Sequence, residues 1–276
     1  MNALTIHYVL NEDDRARDAA SLLAAASQLS KSAIKDAMRK GAVWLTRGKQ
    51  QKRLRRATFL GRPGDKLSLH YDAALLRLTP PTPQLLADET RYSVWLKPAG
   101  LLAQGTLQGD HCALLRLAEL QLEREVYLVH RLDREAAGLM LIAHDAKAAA
   151  ALSQLFADSA SKNLRKQYRV LVAGTITAPG EISLPIDGKP ALTRYRPLHQ
   201  DEALHASWLQ IDLITGRKHQ IRRHLAAIGH PVLGDPRYGG KPHSEGLQLY
   251  ATELAFTCPL TRKARCYSWV PEKLRL

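Results

Sequence analysis

The chain is 276 residues long with a mass of 30.7 kDa, enough for one large or two smaller domains, and its 45% hydrophobic and 24% charged residues suit a folded soluble protein. No apolar run can span a bilayer, and the opening MNALTIHYVLNEDDRARD lacks a basic-then-apolar secretory pattern. Cys112, Cys258 and Cys266 have no paired spacing, so they read as reduced thiols of a cytoplasmic protein.

Residues 13–28 carry an Ala/Leu-rich helical pattern with acids in its first turn. Ser30 or Ser32 is placed to cap a second helix through Lys40, with Ile34 and Met38 on one face and Gly41 as the stop. Val43-Trp44-Leu45 reads as a short strand and GKQQKRL as a basic hairpin connection. After the turn Gly61–Asp65, KLSLHYD alternates strictly, with Leu67, Leu69 and Tyr71 inward. Residues 31–66 hold twelve lysines and arginines against only Asp36 and Asp65, within a net charge of +14 and a pI near 9.9. That imbalance favours a polyanionic partner, and residues 1–78 are expected to form a basic RNA-binding domain using Lys49, Lys52, Arg53, Arg55 and Arg56.

Thr79-Pro80-Pro81-Thr82-Pro83 is a stiff boundary, and residues 79–90 are read as a linker. From residue 91 to 276, strands and helices mix irregularly, the pattern of an α+β domain. YSVWLK leads as a strand into the turn KPAG, GLMLIAHD is a buried strand, and a helix follows over 147–156. KQYRVLVAG and SWLQIDL are further strands. Thr215 is placed to cap a helix running to Ile228 with Gly229 just beyond it, and LQLYATELAFTCP supplies one or two more strands.

Three segments carry chemistry. In His130-Arg131-Leu132-Asp133-Arg134, a carboxylate stands between two arginines just before a core strand, where nearby positive charge favours its ionised form. Alone, such an Asp is more often a cap or a structural ion pair than a catalyst. Lys166, Tyr168 and Val170 share one face of their strand. The third segment, TGRKHQIRR, clusters His219, Arg222 and Arg223 on neighbouring turns, with Ile221, Leu225 and Ile228 on the buried face. Basic residues at a helix start oppose the macrodipole, which points to an anionic partner, a phosphate or a buried carboxylate.

With these segments the chain resembles the RluA family of pseudouridine synthases. HRLDREAAGLMLIA is similar to the family's catalytic-loop motif, RKQYRVLVAG to its Lys-x-Tyr strand, and TGRKHQIRRHLAAIGHPVLGDPRYG to its third motif. WLKPAGLLAQGT resembles the strand and turn opening the catalytic domain, and order and spacing agree over residues 91–270. The N-terminal module is similar, more loosely, to the small RNA-binding domain that often precedes this domain.

The resemblance implies a mixed, largely antiparallel central sheet flanked by helices and loops. It also implies isomerisation of a uridine in structured RNA, large-subunit ribosomal RNA first and transfer RNA second. Asp133 becomes the catalytic carboxylate, attacking the base or the anomeric carbon or assisting glycosidic cleavage. Tyr168 stacks on the target base, Arg222 pairs with Asp133, and Arg131 fills the gap left by the flipped uridine. Lys166, Arg217 and His219 join the RNA contacts, no cofactor or metal is implied, and the chain is expected to act as a monomer away from membranes.

Two positions depart from the family pattern. Ala136-Ala137 stands where Thr-Ser is common, and Tyr250 where a His is common. Other signals carry less. His219 and His224 lack the spacing of a zinc-protease helix, His230 and His243 add no ligand spacing, and GDPRYGGKP lacks a phosphate-loop pattern and reads as a turn. Trp44 suits either a core or a stacking role. The rival readings are a non-catalytic RNA-binding or ribosome-assembly protein on the same fold, and a carboxylate-dependent hydrolase using Glu135 as second acid.

Overall fold

A computed structural model describes residues 3–158 and 163–274. Two compact units emerge, one of Met1–Pro80 with Gln104–Leu117, the other of Pro81–Ala103 with Ala118–Leu276.

The first unit opens with β1 (Leu4–Val9), a 3₁₀ turn at Glu12–Asp14, and helices α1 (Ala19–Ser27) and α2 (Lys31–Arg39). Asp18 caps α1 through Ser21 N, and Ser30 caps α2 through Ala33 N, each satisfying an otherwise unpaired helix-start amide. Gly41 (φ +82°) turns the chain into β2 (Val43–Arg47), β3 (Gln50–Arg53) and β4 (Lys66–Tyr71), followed by the short α3 (Ala73–Leu76). The sheet order is β1-β4-β2-β3. Leu67 and Leu69 of β4 pack with Leu22, Leu23, Ile34 and Met38 of the helices, and Tyr71 adds to that core from its edge. β1, which brings Ile6 and Tyr8 to this core, lies outside the elements expected from sequence.

The second unit comprises β5 (Gln84–Asp88), β6 (Tyr92–Lys97), α4 (Leu114–Leu122, begun in the first unit), β7 (Tyr127–Leu128), β8 (Ala137–Ala143), α5 (Ala146–Ala157) and β9 (Leu164–Ala173). It continues through β10 (Gly180–Ile182), β11 (Thr193–Asp201), β12 (Ala206–Leu213), α6 (Gln220–Ala227), β13 (Leu249–Thr257) and β14 (Ala264–Ser268). Among the described residues these strands form one ten-stranded sheet with the path β10-β11-β12-β9-β13-β8-β6-β5, joined by β14 at β13 and β7 at β8. The architecture is α+β with a mixed sheet, in which β8 and β13 pair parallel beside antiparallel neighbours.

Every residue of β8 is buried, which explains its unbroken apolar sequence: a strand covered on both faces has no solvent side to alternate toward. Leu139 and Leu141 pack with Ala148 and Leu152 of α5, whose N-terminus is capped by Asp145. Gly138 at the start of β8 has φ +128°, and a Cβ there would lie 2.3 Å from the Ala251 carbonyl oxygen of β13. Only glycine lets these two parallel strands approach.

Several segments differ from the sequence reading. α1 begins at Ala19 and not at Asp13, because Asp13 and Asp14 belong to the 3₁₀ turn and Asp18 is the cap, and α4 lies outside the elements expected. Gln84–Asp88, within the stretch read as linker, forms edge strand β5 with no fully buried residue. β11 escapes a sequence reading because Pro197 interrupts it and a register shift follows. α6 starts at Gln220, not after Thr215. Thr215 Oγ1 donates to Gln220 Oε1 at 2.7 Å and accepts from Leu192 N, while His219 occupies the cap position without a capping side-chain bond.

Candidate active site

The loop His130–Glu135 between β7 and β8 is held at both ends. At its start, the His130 ring stacks on Phe156, centroids 4.0 Å apart at 7°, and its Nε2 accepts a hydrogen bond from Leu141 N. That nitrogen is therefore unprotonated, and burial, helped by Lys166, pushes the imidazole pKa down. At its end, buried Lys97 donates from Nζ to the carbonyls of Arg134 (3.3 Å) and Ala136 (2.6 Å), and also to Pro98 and Leu101. Burial pushes the Lys97 pKa down to about 7, and the carboxylates of Asp133 and Glu135 oppose that shift. Gly100 N also donates to the Arg134 carbonyl at 2.8 Å. The turn KPAG thus fastens the segment that carries Asp133.

Asp133 projects between these anchors with a side chain 22% exposed. Arg222 of α6, 2% exposed, donates from Nη1 to Asp133 Oδ2 at 3.0 Å. Its other two nitrogens, Nε and Nη2, donate to the two oxygens of Asp235 at 2.7 Å each. Asp235, itself 1% exposed, also accepts from the backbone amides of Arg237 and Tyr238. Burial opposes the charge on Arg222, but its bonds to Asp235 and Asp133 outweigh burial and keep it ionised. The Tyr238 ring lies 5.2 Å from the guanidinium carbon, and its hydroxyl meets His219 Nδ1 at 2.8 Å.

His219 has φ +55°, a conformation costly for a non-glycine residue, and its Nε2 lies 3.6 Å from Asp133 Oδ1. Burial, assisted by Arg222, lowers its pKa despite the opposing pull of Asp133. The helix start is ordered by Gln220, whose Oε1 also accepts from Arg217 N and whose Nε2 donates to the Leu192 carbonyl.

A cavity of about 410 Å³ opens beside these groups. Asp133, Tyr168, Arg222, Arg131, Lys166, Arg217 and His219 all line it, so seven residues singled out in the sequence converge on one site. Tyr168 and Lys166 come from the inward face of β9, each 8% exposed. Burial, and then the charge of Asp133, push the Tyr168 pKa upward, so the side chain is a neutral phenol. Arg131 is exposed, and Arg217 Nε donates to the Pro190 carbonyl.

The five basic residues singled out in the first unit divide. Lys49 and Lys52 are exposed on the β2–β3 hairpin, and exposed Arg56 donates to Thr58 Oγ1. Arg53 and Arg55 both pair with Asp110, Arg53 also donating to the Gly41 carbonyl and Arg55 to that of Arg39. Trp44 is half-buried, its Nε1 donating to the Leu107 carbonyl and its ring 4.3 Å from the Arg53 guanidinium carbon.

Sequence reasoning missed Asp235, having read GDPRYGG as a turn. Its signal was Arg222 itself, since a basic residue on a helix with a buried face asks for a buried carboxylate. Tyr250, one of the two departures, is 8% exposed, and its hydroxyl donates to Gln248 Oε1. It pairs with Ala137, the other departure, across the parallel strands.

Comparison with known proteins bears on the family of the chain. A family model described as RNA pseudouridylate synthase matches residues 91–227. The dual-specificity RNA pseudouridine synthase RluA of Vibrio parahaemolyticus is 32% identical over 213 residues, 67% of this chain and 83% of that protein. Ribosomal large subunit pseudouridine synthase D of Escherichia coli is 37% identical over 129 residues, 42% of this chain and 38% of that protein. Against two other curated relatives, the match spans 64% and 53% of their length. The solved structure of human RNA pseudouridylate synthase domain containing 1 shares the fold, with a TM-score of 0.58 at 22% identity over 70% of this chain and 86% of that one. The chain belongs to the RluA family of RNA pseudouridine synthases.

Proposed function

We propose that this chain isomerises a uridine of structured RNA to pseudouridine, with Asp133 as its catalytic carboxylate. The observation that carries the reading is the Asp133 carboxylate, aimed by Arg222 into a cavity it shares with Tyr168. In the reaction the bond between N1 of uracil and C1′ of ribose breaks, the base turns, and C5 bonds to C1′. C5 loses a proton and N1 gains one. Asp133 acts on the base, on C1′ or in glycosidic cleavage. A planar guanidinium fixed at two points by Asp235 keeps it oriented, a task lysine performs poorly. The neutral phenol of Tyr168 presents a ring on which an extruded base stacks, worth about 1–3 kcal/mol per base. Isomerisation is redox-neutral and moves no phosphate, so it calls for no redox cofactor or phosphate donor.

The substrate we favour is large-subunit ribosomal RNA, with transfer RNA second. The basic N-terminal unit supplies a sequence-independent hold on phosphates, and Arg131 fills the space of the flipped nucleotide. The chain acts as a cytoplasmic monomer in this reading. Among the described residues, no helix is long and apolar enough to cross a membrane.

The test is pseudouridine mapping of total RNA from cells with the gene intact and with it deleted. One uridine is expected to lose its modification in the deletion and to regain it with wild type but not with Asp133→Asn. An unchanged map would sink the enzymatic reading in favour of a binding protein on this fold.

A further inference from the structure

The cations around the cavity are not equivalent. Arg222 is shared by Asp133 and Asp235, Arg217 Nε is bound to the Pro190 carbonyl, and Arg131 and Lys218 are exposed. Lys166 alone among them is both buried, at 8% exposure, and without a hydrogen-bond or ion-pair partner for its ammonium among the described residues. A Cβ built on Gly216, at the start of the α6 segment, would lie 3.9 Å from Lys166 Nζ, so the two meet across the cavity wall. Burial lowers the pKa of Lys166, and no carboxylate offsets it. A cation kept in such a place is costly unless something anionic or strongly polar joins it.

The reacting base needs such a group. Asp133 and Asp235 share one guanidinium, which leaves negative charge beside the bound base. Burial drives the pKa values of His130 and His219 down, so neither imidazole supplies a compensating cation at neutral pH. When the N1–C1′ bond breaks, its electron pair stays on uracil, and the ring carries negative charge spread onto its carbonyl oxygens. That pair is returned when C5 bonds to C1′, and the C5 proton then leaves. If Asp133 instead adds to the base, the pair of the new bond loads the ring before N1–C1′ breaks, and on either route the carbonyl oxygens carry negative charge during the reaction.

We infer that Lys166 is a further catalytic residue, its ammonium donating a hydrogen bond to a uracil carbonyl oxygen and stabilising the charge the ring carries once its bond to ribose is broken. No proton transfer from Lys166 is involved. The inference rests on the synthase reading above and adds a role for a cation facing the base, not the phosphates. A donor placed where charge develops in a water-poor site acts mainly on the transition state, so its removal lowers rate more than affinity.

The experiment follows tritium release from [5-³H]uridine-labelled total RNA of cells lacking the gene, with enzyme in excess, beside filter binding of the same RNA across a salt series. Lys166→Met is expected to slow release by about 10²–10³-fold while affinity changes less than about threefold and the salt slope stays the same. Lys166→Arg, which keeps the charge, is expected to release tritium faster than Lys166→Met. Lys166→Gln carries the test should the Met variant not fold. An undiminished rate in the neutral variants overturns the inference, as does an Arg variant no faster than Met. So does a loss of affinity equal to the loss of rate with a salt slope reduced by about 0.9, the signature of a phosphate partner. Wild type that releases no more tritium than Asp133→Asn overturns the synthase reading and this inference with it, which separates the two failures.

Discussion

Arg222 and Asp235 form a two-point ion pair, both distances 2.7 Å, inside a region where each residue is 2% exposed or less. Two parallel bonds fix the plane of a guanidinium as one bond cannot, so the direction in which Nη1 points at Asp133 is set by Asp235. Asp235→Asn leaves Arg222 with Asp133 as its main counter-charge. Removing one partner of a buried pair costs about 3–5 kcal/mol, and the urea midpoint of unfolding is expected to fall accordingly. An unmoved midpoint would show that the buried arginine does not depend on Asp235.

Arg91 and Asp145 give a test by pH. Arg91 donates to both oxygens of Asp145 at 2.9 and 2.7 Å, and Ala148 N donates to the same carboxylate as the cap of α5. The Arg91 bonds first, and the helix amides after them, lower the pKa from 3.8 to about 2. A depressed carboxylate stabilises the fold above its unfolded value and ceases to do so as pH falls through its folded value. The urea midpoint of wild type is expected to exceed that of Asp145→Asn above pH 3.8, the difference vanishing as pH falls through about 2. A difference independent of pH would contradict this linkage.

The division among the basic residues of the first unit separates binding from stability. Exposed Lys49, Lys52 and Arg56 face solvent, whereas Arg53 and Arg55 are tied to Asp110. Changing the three exposed residues to Gln is expected to weaken RNA binding and reduce its salt slope by about 0.9 for each phosphate no longer neutralised, with thermal unfolding unchanged. Changing Arg53 and Arg55 is expected to lower the unfolding temperature of this unit. Equal salt slopes before and after the triple change would show that the hairpin does not touch the RNA.

Gly138 reports on how the His130–Glu135 loop is anchored to the sheet. Gly138→Ala would meet the Ala251 backbone 2.3 Å away and hold alanine at φ +128°. The backbone conformation alone costs about 1–3 kcal/mol, and the clash adds to it because β13 must move. A marked drop in the urea midpoint is expected. A variant as stable as wild type would mean that the close parallel approach is dispensable.

Long, strongly patterned elements were legible in the sequence, and so was the cluster around Asp133. α2, β6, β8, α5, β9 and β12 have either a capped apolar face or an apolar run that one burial pattern explains. β5 and β11 were not legible because they lie toward the sheet's margins, where half-buried residues and an interrupting Pro197 leave no clear period. The start of α6 was misplaced because Thr215 spends its hydroxyl on Gln220 and Leu192, a choice made by neighbours distant in sequence. Asp235 was hidden for a related reason. A carboxylate in a turn looks like a turn former until the guanidinium that buries it is placed nearby.

The first unit is not continuous along the chain, for Gln104–Leu117 returns to it after β5 and β6 have been laid down. Asp110, which anchors Arg53 and Arg55, and the Leu107 carbonyl that receives Trp44 both arrive with that return. During synthesis from the N-terminus, these basic side chains therefore emerge more than fifty residues before their counter-charge. A fragment ending at the proline-rich stretch would keep its own apolar core but carry two unmatched guanidinium groups and an uncovered tryptophan. Severing the chain at its most conspicuous boundary would yield a stickier, more cationic piece than the same residues make in the whole protein.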